Sequence, residues 1–164
     1  YSNVIIILLI IKQLNIMNSP IEIISGIWIG NIGISQNKQF YINNNIDIVI
    51  NCTQDTPFIE LPNIKHKIKV PFSPDFPSKY NLHVINDYVD KLLEIMYKSI
   101  DNYNIFIYSY ETDTIPLSII SLFISKYGGI NEDAIEKIVK SKINIDAFPR
   151  EICIDLSLFK HLIE

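Results

Sequence analysis

The chain is nearly without arginine. Arg150 is the only one among 164 residues, against 18 aspartates and glutamates. A bidentate grip on phosphate leans on the guanidinium fork, so this chain has little to supply one. The net charge of -4 and the pI of about 5.3 exclude the basic face of a nucleic-acid binder. Cysteine is scarce too. Cys52 and Cys153 are the only two. They form neither a disulfide framework nor a metal-ligand spacing, and read as buried apolar residues of a reducing compartment. No cofactor motif accompanies them. Ala134 and Ala147 are the only alanines, while Ile, Asn, Lys and Tyr abound. Such a skew fits codon choice in an AT-rich genome and carries no function. No membrane-spanning run exists either. The unbroken apolar stretch Val4 to Ile11 is too short to cross a bilayer. It lacks a basic stretch before it, and Lys12 and Gln13 follow where a signal peptide has small residues.

A hydrophobic content of 48% with 20% charged residues describes a globular protein. Its length suits one domain with a proper core. Met17 is a candidate natural start. Residues 1–16 then form an N-terminal extension, or a short helix packed on the body or on a second subunit, which leaves a homodimer open. Residues 17–164 form the single domain.

The first part of the domain reads as strands. Ile21 to Ile29 gives two short pieces around Ser25-Gly26, with Trp28 buried. Ser35 to Asn45 has a weak helical pattern that Ser35 can cap. Ile46 to Ile50 is a compact β-branched run, a buried strand. Ile64, His66, Ile68 and Val70 then alternate with Lys65, Lys67 and Lys69, placing the lysines on one side of a half-buried strand. A solvated face is the plainer reading of those lysines; a phosphate-attracting stripe is the alternative. His66 points with the apolar set and reads as a core histidine. Pro71 to Pro77 is a loop.

Helices dominate the rest. Ile85, Val89, Leu92, Leu93, Met96 and Ile100 make the apolar stripe of an amphipathic helix. Leu117 to Ile124 is apolar on nearly all sides, a helix for the middle of a fold, ended by Gly128-Gly129. Asn131 caps another helix, with Glu132 and Asp133 in its first turn and Lys140 and Lys142 in its last, as the helix dipole prefers. Pro149 opens a final helix with core positions Ile152, Leu156, Phe159 and Ile163. The order implies an α/β fold, a central mixed sheet flanked by helices.

Between the two apolar helices lies the stretch around which the chain is organised, Asn104 to Leu117. The apolar run Ile105-Phe106-Ile107 enters a polar loop, and Pro116 opens the next helix. A strand, a tight loop and a helix start form an anion-binding arrangement, because the first turn offers free backbone N–H groups. Here the loop holds Glu111 and Asp113 and no cation.

In this order the segments resemble the dual-specificity phosphatases of the cysteine-dependent protein tyrosine phosphatase superfamily. The likeness spans Ile21 to Leu162. Ile27-Trp28-Ile29-Gly30-Asn31 resembles the family's opening strand and turn. Ile46 to Thr53 resembles its I-T-x-V-L-N-x-T strand, and Val70-Pro71-Phe72 its I-P-V strand end. Ala134, Val139 and Lys140 fit its A-x-x-x-V-x-x-R helix. The short acid-loop region and an extra N-terminal helix resemble the small phosphatases of poxviruses and other large DNA viruses. The family signature H-C-x-x-G-x-x-R-S/T falls on Tyr108-Ser109-Tyr110-Glu111-Thr112-Asp113-Thr114-Ile115-Pro116. The resemblance thus puts Ser109 where the nucleophilic cysteine stands, Thr112 for the bending glycine, Ile115 for the phosphate-gripping arginine and Pro116 for the hydroxyl residue. The general acid belongs near Pro74, which makes Asp75 a displaced candidate.

The resemblance implies a phosphatase fold with a degenerate loop: a pseudophosphatase that binds a protein partner as competitor, scaffold or structural subunit. It implies no cofactor, no metal, no nucleic acid and no membrane, and an intracellular, cytoplasmic setting, or the virion if the chain is viral. One carboxylate about 5 Å from a phosphate dianion repels it by about 6 kcal/mol at an effective dielectric of about 20. Thr114 or Asp113 is then expected to cap the helix that follows. Two rivals stand beside this reading. A working phosphohydrolase needs Cys52 or Cys153 as nucleophile, and neither is followed by a phosphate cradle. A phosphopeptide reader would use the dead pocket; the acidic loop argues against it and the lysine strand favours it.

Overall fold

The computed structural model describes residues 5–6, 18–74, 82–112 and 114–143, with side chains from Ile85 onward in the helix that opens at Leu82. Its sheet has five strands: β1 (Ile21–Ile24), β2 (Ile27–Asn31), β3 (Ile46–Asn51), β4 (His66–Lys69) and β5 (Asn104–Ser109), in the order β1-β2-β5-β3-β4. Only β1 runs antiparallel to its neighbour; β2, β5, β3 and β4 are mutually parallel. The expected mixed sheet is what the chain forms. Gly26 turns β1 into β2 at φ 82°, a conformation that costs glycine nothing. β5 lies at the centre, which explains its unbroken apolar run: a parallel strand is covered on both faces.

Alternation along the strands divides the core in two. Ile27, Ile29, Ile48, Ile50, Ile105 and Ile107 face α3 (Leu82–Ser99), α4 (Ile115–Gly128) and α5 (Glu132–Lys142). Val49, Phe106 and Tyr108 face the other way, toward α1 (Ile32–Ser35) and α2 (Lys38–Asn43). That second core is aromatic. Phe40 meets Phe106 edge-on with centroids 4.7 Å apart, and Tyr41 and Trp28 pack around the pair. The sheet approaches α1 closely at Gly30, where an added Cβ would lie 2.9 Å from both Ile34 Cδ1 and Phe106 Cε2.

The helix signals behave as their chemistry requires. The α3 stripe from Ile85 to Met96 is buried. Asn131 accepts from Ala134 N at 2.9 Å to cap α5, and Gly129 ends α4 in the left-handed region at φ 62°. No described helix is long and apolar enough to cross a membrane.

Three local expectations are corrected. Ser35 opens no helix. It ends α1 and donates to Ile32 O, while Asn31 and Asn37 cap α1 and α2. Trp28 is half-buried, because it stands on β2 at the margin of the aromatic core. His66 is exposed rather than core. β4 is the last strand of the sheet, and along Ile64, His66, Ile68 and Val70 only Val70 becomes fully buried. His66 instead meets the Tyr103 ring edge-on at 6.0 Å. The final helix, with Arg150 and Cys153, lies outside the described residues, as does the N-terminal segment except Ile5 and Ile6, which are helical and exposed.

Candidate functional site

The parallel strands end together. Asn31 of β2 pairs with Ser109 of β5, Asn51 of β3 with Tyr108, and Lys69 of β4 with Asn51. The carboxyl ends of parallel strands are where open α/β sheets place their ligand sites. From this edge β5 runs through Tyr110, Glu111 and Thr112 into α4, whose first residues are Ile115 and Pro116. The loop therefore stands at the sheet edge where such folds place a ligand.

Ser109, Tyr110 and Thr114 are engaged within the protein. Ser109 is 1% exposed, and its hydroxyl donates to Cys52 O at 3.2 Å. The proton is thereby turned toward a backbone carbonyl, which cannot accept it as a base. Nucleophilic serine needs a histidine, lysine or carboxylate in that place. Tyr110 OH donates to Asp55 Oδ1 at 2.9 Å and accepts from Gln54 N at 3.1 Å, so the loop is bridged to the segment after β3. That segment is braced from within. Asn51 Oδ1 accepts from Thr53 N and Thr53 Oγ1, at 2.9 and 2.7 Å, and Asn51 Nδ2 donates to Thr56 O at 2.8 Å. Tyr108, fully buried, donates to Pro57 O at 3.4 Å.

Thr112 has an ordinary backbone angle, since Asn45 is the only non-glycine at positive φ among the described residues. Its hydroxyl oxygen is buried and has no hydrogen-bond partner. Thr114 occupies the N-cap position of α4 but makes no side-chain cap bond. Its hydroxyl donates backward to Glu111 O at 3.0 Å, which corrects the expectation of a side-chain cap from this residue. Ile115 packs against the main core, and Pro116 is buried. Glu111 is exposed. Asp75 and Asp113 lie outside the described residues.

Among the described residues the other chemistry-bearing groups do not assemble a second centre. Cys52 is fully buried, and desolvation pushes its thiol well above the ordinary range despite the nearby Lys69. A thiol held protonated is no nucleophile. The lysines near β4 are held at home. Lys65 pairs with Asp47 at 2.9 Å, Lys67 with Glu60 at 2.8 Å, and Lys69 donates to Thr56 O at 3.0 Å. Among the described residues no group of His, Cys, Asp and Glu could hold a metal ion. Sequence reasoning missed Asn51, Asp55 and the carbonyl of Cys52. Their partners lie more than 50 residues away or across a turn, and no periodicity signals them.

No family model matches the chain, and no curated protein matches its sequence. Solved structures do share its fold. Human DUSP28 superposes with a TM-score of 0.67 at 12% identity, over 88% of this chain and 89% of that one. The human tyrosine phosphatase-like serine/threonine/tyrosine-interacting protein gives 0.66 at 11% identity, over 88% and 93%. OH1 from the Orf virus, a tyrosine phosphatase, gives 0.56 at 12% identity, over 88% and 83%. The chain has the fold of the dual-specificity phosphatases.

Proposed function

We propose that this protein is a pseudophosphatase: a dual-specificity phosphatase fold without hydrolytic activity that acts by binding another protein. The observation that carries the reading is the state of Ser109. It is buried, its proton is committed to the Cys52 carbonyl, and among the described residues its hydroxyl bonds to no base. Ile115 and Pro116 support the same reading, since both positions of the loop that would hold and orient an anion now pack apolar surface. Cys52 offers no way around this, for its thiol is enclosed and kept neutral. The lysines near β4 argue against a phosphopeptide reader, because each is already paired or bonded within the chain. One solved neighbour is described as an interacting protein that is tyrosine phosphatase-like. An analogous role here is that of competitor, scaffold or structural subunit, with the cytoplasm as its setting.

Affinity capture from host-cell lysate, followed by titration of each captured protein with the purified chain, tests the binding half. A partner bound equally well by wild type and Ser109→Ala supports the reading. Hydrolysis of a phosphopeptide above the buffer rate by the wild-type chain would overturn it.

A further inference from the structure

We draw no further inference here: the strongest candidate, the apolar groove beneath the last turn of α4, walled by Ile23, Ile24, Tyr97, Ile100, Tyr127 and Ile138, has nothing among the described residues that shows what covers it.

Discussion

Tyr110 reaches across 55 positions of sequence to donate its phenol proton to Asp55, 2.9 Å away. The same oxygen accepts from Gln54 N. A residue of the loop between β5 and α4 thus acts as a strut between two loops. A hydrogen bond to a charged group contributes about 1.5–3 kcal/mol at best, and solvent around the exposed Asp55 lowers that. Tyr110→Phe and Asp55→Ala are each expected to lower the melting temperature by a few degrees, since about 1 kcal/mol corresponds to 2–4 °C at this size. In a double-mutant cycle the two losses should overlap. Strict additivity would show that the strut contributes nothing.

Catalysis is expected to be absent and hard to restore. Hydrolysis of an aryl phosphate should stay at the blank rate for both wild type and Ser109→Ala. Ser109→Cys combined with Ile115→Arg should fall well short of full activity, because Thr112 and Glu111 remain and the new thiol enters a buried position. Robust turnover by the double variant would mean that the loop retains a competent cradle. Wild-type turnover abolished by Ser109→Ala would point to a serine mechanism.

Alkaline pH should weaken the fold. Burial raises the pKa of Cys52, Tyr41 and Tyr108 above their ordinary values. In the unfolded chain a thiol ionises near about 8.5 and a phenol near about 10. Above that range the native state holds more protons than the unfolded one, so stability falls as pH rises. Lys65 and Lys98, whose pKa values are raised by Asp47 and Glu94, act in the same direction, while Lys69, lowered by desolvation, opposes them. The melting temperature should be level near neutrality and decline steadily from about pH 9. Tyr108→Phe should flatten the decline above about pH 10. A level profile to pH 11 would contradict the buried states assigned to these groups.

Gly30→Ala tests the contact between the sheet and α1. The new methyl would meet Ile34 and Phe106 at 2.9 Å, and Phe106 is held by the rings of Phe40 and Tyr41. Overpacking of this kind costs about 1–3 kcal/mol. Thermal denaturation should show a clear drop. An unchanged melting temperature would mean that the ring cluster yields freely.

The fold was legible wherever a repeat reports burial. Ile85 to Met96 at helical spacing, the run Ile105 to Ile107 and the Asn131 cap each announced their element, and their order implied the sheet. The errors came where a local pattern leaves the surroundings open. Alternation at Ile64 to Val70 says which side His66 takes, but not that β4 is an edge strand whose cover does not reach His66. Ser35 has cap chemistry, yet Asn31 and Asn37 stand nearer the helix starts and take the role. At the site, the lack of an H-C-x-x-G-x-x-R run between β5 and α4 was visible in the residues themselves. The bonds of Ser109 and Tyr110 were not, because they join segments that meet only after folding, and the local bond of Thr114 to Glu111 O depends on how the loop turns.

The outermost strand has one more effect. β4 is only four residues long, and lysines stand at 65, 67 and 69 along that flank. Another chain seeking to extend the sheet would have to strip water from these ammonium groups for the sake of very few backbone bonds. The flank therefore makes β4 a poor template for another chain to extend the sheet.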